Sequence, residues 1–565
     1  MKIFHTPLRW GRFLKWIGVL LTLSFSTMLS WGPSWGAFAQ DQKQVEPTQV
    51  PASLMSPIER AEKDGTALHI SLKELTKLAL QNNLDIAISD TNEAMYQQKV
   101  IQNYGFYDPT ITLTLQDGRS KSANTNITNR SATGFNQRDN ALWNFSMVKN
   151  LPTGGGITAT FNSSRSDTNQ LATLFTPQFQ SSASVQFTQP LRRNFRTDQT
   201  RGTIKLANLD LKTNDSKFKQ SVTTTIASIQ NLYWDLVYAI RNYNILRESM
   251  ELAKITVAQN KAKVEIGTLA SITVTEALAT QATREINLIQ AKATIQSTEN
   301  SLRNMISNDR NADIWHQTIV PADSPDFNAY TVELDEAIET ALKNRPELEQ
   351  YDLQLQQNDI TYQIQKNMKK WQFDLVGSFG ANGTAGPQSY SSSGVPTIPV
   401  QFVGGLPTAY QTIFTEGLTT WTVGFNIQIP IKNRSVDAQL AQTQISKQQL
   451  LMNRTKTEQN VIVQVRNAVE DLETCRQRVE TAQVSRKLAE EELKGETQRF
   501  EAGMSQNFLL LQRQADLSAA QGEEVQALIT YKKAVITLQQ NMYNLLEAND
   551  FEIAKSPGKG VAAFE

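Results

Sequence analysis

Residues 264–279 read VEIGTLASITVTEALA, and 236 positions later residues 500–515 read FEAGMSQNFLLLQRQA. Each copy places a Glu-x-Gly step inside a long run without proline, with Gly202 the only glycine in residues 196–266 and Gly495 the only one in 434–502. With no proline to remove a backbone donor, each run reads as one continuous α-helix. The second run, 69 residues long, would span about 100 Å as a helix. A glycine after such a helix can take the left-handed conformation that ends it, so Gly267 and Gly503 read as C-caps followed by reversals into helical sequence at 268–307 and 504–546. Gly495 and Gly522 read instead as glycines tolerated in mid-helix. That alternative stands for Gly267 or Gly503 taken singly, and their recurrence argues against it.

The recurrence extends along the chain. SLKELTKLALQNNLDI (71–86) matches ELDEAIETALKNRPEL (333–348) at an offset of 262, and VQFTQPL (185–191) matches FNIQIPI (425–431) at an offset of 240. Three matches in the same order indicate duplicated halves. The fall from 262 to 240 places 22 extra residues in the first half, between its first helix and Pro190.

Within each half the hydrophobic period switches. ITLTL (111–115), WNFSM (143–147), ITATF (157–161) and ASVQF (183–187) alternate apolar with polar or small residues, and WTVGFNIQI (421–429) does so over nine positions. These are strands with one apolar face. Residues 117–140 and 381–418, rich in Ser, Thr, Asn and Gly, read as long exposed loops, and LPTGGG (151–156) as a tight turn. Long loops at one end and short turns at the other suit a transmembrane barrel, with the edge of a soluble β-sandwich as the alternative. The second long helix carries a seven-residue seam, Val465, Leu472, Val479 and Leu493, interleaved with Val461, Ala468, Cys475, Ala482 and Ala489.

The N-terminus explains how such a chain reaches a membrane. Residues 1–16 hold four basic and no acidic residues, residues 17–29 are apolar, and Ala37-Phe38-Ala39 is an A-x-A processing site. Residues 1–39 therefore read as a secretory signal; an anchoring helix is the alternative, disfavoured by the short apolar core and Gly32-Pro33 behind it. Its removal leaves 51 basic against 55 acidic residues, a net of −4, which does not suggest nucleic acid. No later segment has 18 consecutive apolar residues, so membrane entry requires a β-barrel. Cys475 is the single cysteine, which excludes an intrachain disulfide and a lipidated N-terminal cysteine. Residues 40–66 read as a disordered leader and 551–565 as a disordered tail, enclosing a first repeat at 67–318 (strands 109–190, helical hairpin 196–307) and a second at 319–550 (strands 371–430, helical hairpin 434–546).

Helix, strands, long helix, glycine turn and returning helix, twice over after a signal, resemble the TolC-like outer membrane efflux proteins over nearly all of residues 67–550. The motifs that carry the resemblance are LKELTKLALQNN, LDEAIETALKNRPEL, VQFTQPL, GFNIQIPI and above all RFEAGMSQNFLLLQRQADL (499–517). It implies a mainly α fold with a transmembrane β-barrel completed by trimerisation, and long hairpins forming a periplasmic tunnel. It further implies a homotrimer in outer membrane lipid that meets a periplasmic adaptor linked to an inner-membrane RND or ABC pump, serving efflux or type I secretion. The adaptor-contact tips would be Ile266, Gly267 and Thr268 in the first half and Ala502, Gly503 and Met504 in the second. The entrance constriction would fall at Leu509 and Gln512, where some relatives carry acids, and at Thr273 and Glu276 in the first half; Glu276 reads equally well as an exposed helix residue. Independently of the resemblance, two strands per half give four per chain, too few to close a barrel alone. Three copies of four would make twelve, as in the family, but the 22 extra residues leave open six strands per chain or a hairpin outside the wall.

Two rival functions can be weighed. An enzyme lacks materials: only His69 and His316 remain after processing, outside any metal-ligand spacing, and SPGKG (556–560) lacks the first glycine and the Ser/Thr of a phosphate loop. No cofactor is expected. A periplasmic coiled-coil scaffold without a pore would share the helices but would leave the apolar strand faces without a partner. The mature chain is expected to begin at Gln40, and N-terminal sequencing of the exported protein checks this; retention of residues 1–39 would overturn the signal assignment.

Overall fold

The computed structural model describes residues 57–125, 131–170, 173–388, 398–549 and 551. The signal, most of the leader and nearly all of the tail lie outside these. The leader is shorter than expected, because α1 (Pro57–Asp64) buries Ala61 and Glu59 pairs with Arg247 at 2.6 Å. Strand β1 (Ala67–Ile70) follows. Ser71 then begins α2 (Leu72–Asn82) with a capping box, its hydroxyl accepting from the Glu74 N–H while the Glu74 carboxylate accepts from the Ser71 N–H. Asn83 caps α3 (Leu84–Tyr104), accepting from the Asp85 and Ile86 N–H groups.

Four strands succeed α3: β2 (Thr110–Ala123), β3 (Phe135–Asn150), β4 (Gly156–Thr168) and β5 (Gln178–Pro190). The chain then enters α4 (Gln199–Glu265), N-capped by Asp198, and returns through α5 (Ile272–Ile306). The second half repeats the plan with β6 (Thr318–Pro321), α6 (Leu334–Asn344), α7 (Pro346–Met368), β7 (Gln372–Ala385), α8 (Leu406–Thr415), β8 (Thr419–Gln428), α9 (Arg434–Glu501), α10 (Asn507–Met542) and α11 (Leu545–Ala548). The halves are sewn together where β1 pairs in parallel with β6. There the Tyr233 hydroxyl donates to Asp323, whose carboxylate also accepts the Leu72 N–H at 2.6 Å. The buried Glu299 carboxylate accepts from the Ile319 N–H at 2.8 Å and pairs with Arg303 at 2.6 Å. Burial raises the pKa of Glu299 against the pull of those two donors.

The strands form one antiparallel sheet in the order β2-β3-β4-β5-β7-β8. The chain thus carries six contiguous strands, four from the first half and two from the second, where two per half were expected. Residues 117–140 are less loop than expected: β2 runs on to Ala123 and β3 starts at Phe135, with Arg119 and Asp139 paired at 2.7 Å on neighbouring strands. Polar composition there marks strand ends beyond the apolar belt, where the face is charged and wet. The sheet's two faces separate cleanly. One row runs Ile111, Met147, Ala159, Val185, Phe379, Trp421, and the adjoining row on the other face runs Thr112, Ser146, Thr160, Ser184, Gly380, Thr420. The apolar face is exposed, Leu115 and Trp421 at 71% each, as befits a surface that meets lipid.

Residues 381–418 also hold more structure than expected. Helix α8 lies on the apolar face near the far end of the sheet, where the Trp143 indole N–H donates to the Tyr410 hydroxyl at 2.9 Å and the Phe161 and Tyr410 rings meet at 5.5 Å. Gly383 permits this approach, since a Cβ there would fall 2.0 Å from the Ala409 carbonyl oxygen.

Below the sheet the helices form a single layer four across. Near the sheet its order is α3-α4-α7-α9, and beyond the β1–β6 junction it is α5-α4-α10-α9. The α9 seam is buried as its spacing predicts from Val461 to Val479, while Ala489 and Leu493 farther along are only half-buried. Val461, Val465, Ala468, Leu472 and Val479 are buried against Ala337 and Ala341 of α6 and Ala527, Tyr531 and Leu538 of α10, with Cys475 and Ala482 packed beside them. Burial raises the Cys475 pKa, consistent with a packing role. The layer's outer elements stay bare: Ile88 and Met95 on α3, Ile286 on α5, and Ile445, Met452 and Val484 on α9 are each more than half exposed. Gly383→Leu is expected to lift α8 from the sheet while leaving assembly intact. Chymotryptic cleavage at Tyr410 on intact cells should rise severalfold at unchanged yield of assembled protein; unchanged cleavage would show that α8 tolerates the side chain.

Candidate functional site: the hairpin tips

Helix α4 ends because its last carbonyls find partners in the turn that follows. The Gly267 N–H donates to the Val264 carbonyl at 2.9 Å and the Thr268 N–H to Lys263 at 2.9 Å, while Gly267 sits at φ +79°. At the end of α9, Gly503 donates to Phe500 at 3.2 Å and Met504 to Arg499 at 2.9 Å, with Gly503 at φ +74°. Both are Schellman motifs with glycine at C′. The mid-helix alternative is thereby excluded for Gly267 and Gly503, whereas Gly495 and Gly522 do lie within α9 and α10. Around the turns Ile266 is 74% and Met504 76% exposed, and Thr268 and Ala502 are also exposed.

The two tips lie side by side. The Lys263 ammonium sits 4.1 Å from the centroid of the buried Phe500 ring, and Gln514 donates to the Thr256 hydroxyl at 3.1 Å. Most buried is an amide pair: Asn260 Nδ2 donates to Asn507 Oδ1 at 2.8 Å and to the Thr273 carbonyl at 3.4 Å. Asn260 Oδ1 and Asn507 Nδ2 find no partner among the described residues. This contact ties α4 of the first hairpin to the first turn of α10 in the second. The sequence reading missed it, because an asparagine in a Gln- and Asn-rich helix carries no mark of burial until its neighbour is known.

The four expected constriction residues occupy unlike settings. Thr273 is half-buried, its hydroxyl donating to the Ala270 carbonyl at 2.7 Å, and Glu276 is exposed. Leu509 is 41% exposed, and Gln512 donates to Asp516 at 3.0 Å. Asp516 is itself held by Arg513, which also pairs with Glu492. The acid nearest the second entrance position is therefore already matched by a cation.

A family model of outer membrane efflux proteins matches residues 156–308 and 337–542, more than half of the chain and one segment in each half. The chain belongs to the outer membrane efflux protein family. Its fold is similar to that of the CmeC outer membrane channel of Campylobacter jejuni, with a TM-score of 0.60 at 16% identity over 94% of this chain and 96% of that one. The outer membrane protein VceC of Vibrio cholerae gives 0.57 at 14% identity, covering 85% and 96%. The open-state MtrE outer membrane channel of Neisseria gonorrhoeae gives 0.54 at 15%, covering 84% and 89%. No curated protein matches the sequence. This efflux protein is thus an outer membrane channel, with its sheet in the membrane and its helical layer extending into the periplasm.

Removing one half of the buried amide pair should cost more than removing both. Asn260→Leu leaves the Asn507 amide buried without its partner, a penalty of about 1–3 kcal/mol, whereas the Asn260→Leu/Asn507→Leu pair replaces both groups by apolar ones. Thermal dissociation of the detergent-solubilised assembly should fall most in the single variant and recover in part in the double; additive losses would mean that the two amides are not coupled.

Proposed function

We propose that the chain assembles as a homotrimeric duct that receives substrates from a periplasmic adaptor and an inner-membrane pump of the RND or ABC type, for efflux or type I secretion. The observation that carries this reading is the pair of adjacent Schellman turns. They stand at the end of the helical layer farthest from the sheet and expose Ile266 and Met504. Exposed aliphatic side chains beside a glycine backbone offer a partner both apolar contact and close approach. The adaptor-contact residues are then Ile266, Gly267, Thr268, Ala502, Gly503 and Met504.

Trimerisation is supported by the unclosed sheet and by the bare outer helices, which a neighbouring copy would cover. The entrance is read as lined by Thr273, Glu276, Leu509 and Gln512, so that Glu276 is the one acid each chain brings to it and the second-half positions, Leu509 and Gln512, bring none. The poreless scaffold is disfavoured by the exposed apolar face of the sheet, which only lipid or a core could cover.

Gly267→Val and Gly503→Val test the tips. A Cβ at either glycine meets nothing within 4 Å, so the cost is confined to the left-handed backbone, about 1–2 kcal/mol for each residue. Trimer yield should stay near wild type while adaptor crosslinking and export fall at least severalfold, with Gly495→Val as the control inside α9. Normal crosslinking and export in both tip variants, or an equal loss from Gly495→Val, would reject the tip assignment.

A further inference from the structure

A TolC-like resemblance implies a twelve-stranded barrel, four strands from each of three chains, yet this chain carries a contiguous six. We propose that three copies close an eighteen-stranded barrel, β8 of one copy pairing antiparallel with β2 of the next. The proposal rests on the trimeric reading above and adds the composition of the wall.

The extra hairpin, β3–β4, is built as wall. It pairs along both sides, from Thr110↔Val148 to Ala123↔Phe135 with β2 and from Gly156↔Thr188 to Ser166↔Gln178 with β5. A hairpin lying on the lipid side of a smaller barrel would press one face against apolar side chains and show the other to lipid. Its Ser146, Thr160, Asn144 and Asn162 would then be unsatisfied in hydrocarbon. Instead these residues continue the polar rows of β2 and β5. The hairpin is also fixed at the tunnel end. Asn150 donates to the Phe106 carbonyl at the end of α3 at 3.0 Å, and Thr153 donates to Gln189 at 2.8 Å beside the start of α4.

Direction and width agree. The six strands alternate, so β2 leaves the tunnel and β8 returns to it, and adjoining copies continue the same antiparallel meander. Both edges are free to do so: α8 covers β5 and β7, while every residue of β2 and β8 is exposed. At a spacing of about 4.8 Å and a tilt of about 40°, six strands cover about 38 Å of circumference and four cover about 25 Å. Four helices at about 10 Å cover about 40 Å. The six-stranded contribution matches the width of the helical layer beneath it, so the duct passes from tunnel to barrel with little change of width. The closed wall would measure about 36 Å across at the backbone, against about 24 Å for twelve strands.

Cysteine pairs in a Cys475→Ser background test the order of strands in the purified trimer. Thr160→Cys with Ser184→Cys should crosslink within a chain, their hydroxyls being 2.6 Å apart on β4 and β5. Thr112→Cys with Ser184→Cys should not, because three strand spacings, about 14 Å, separate them. Thr112→Cys paired in turn with Thr420→Cys and Thr422→Cys should yield crosslinks between chains, and electron cryo-microscopy of the trimer in nanodiscs should count eighteen strands. A trimer in which Thr112 and Ser184 crosslink, or in which twelve strands are counted, would overturn the proposal and leave the trimeric duct standing. Membrane-inserted protein that is not trimeric would overturn the trimeric reading together with it.

Discussion

The structure depends on the backbone hydrogen bonds that β2 and β8 cannot make within one chain. Six antiparallel strands with an apolar outer face satisfy every ladder except those at the two edges. In lipid an unpaired N–H or C=O costs several kcal/mol, so a membrane-embedded sheet of this kind must close. The helical layer repeats the same incompleteness in apolar terms. It is four helices wide, and its outer elements, α3 and α5 on one side and α9 on the other, leave Ile88, Ile286, Ile445 and Met452 open. Both deficits sit on the same two flanks, because α3 leads into β2 and β8 leads into α9. The lateral contact proposed between copies would therefore complete sheet and tunnel together.

Inside the layer the halves are held by a few buried polar contacts placed on an otherwise apolar seam. Near the middle, Tyr233, Asp323 and the Leu72 N–H form a network that pins α4 to the start of α2 and to the chain after β6. Burial and the neighbouring carboxylate raise the Tyr233 pKa, so its hydroxyl stays a donor throughout the physiological range. Toward the tips, buried Val257, Ala277, Leu510 and Leu511 surround the Asn260–Asn507 pair and the Lys263–Phe500 contact. The tip end of the layer thus encloses polar contacts that the α9 seam above it lacks.

Much of this was legible in the sequence. Runs free of proline specified α4 and α9 nearly to the residue, the seven-residue seam named the buried face of α9, and the repeated Glu-x-Gly step located both turns. Each of these signals is local, set by covalent geometry or by the helix period, and so survives without knowledge of neighbours. Alternation likewise identified the apolar face of the strands. It underestimated their length, because β2 and β3 continue as polar ladders beyond the belt, where Arg119 meets Asp139 across strands and no hydrophobic period remains to be read.

Tertiary structure alone decided the rest. That β3 and β4 stand between β2 and β5 is a matter of pairing between segments and is not encoded in either segment's own pattern. Helix α8 escaped notice in a stretch that reads as loop, since its stability comes from Ala409 and Ile413 packing where Gly383 leaves room. The amide pair at the tips depends on two residues 247 positions apart whose burial exists only after both hairpins have formed. The sequence by itself determined the long helices with their ends and the apolar faces of helices and strands, because those follow from backbone geometry and periodicity. Which elements are neighbours, and which polar groups are enclosed between them, depends on long-range packing that no local pattern records.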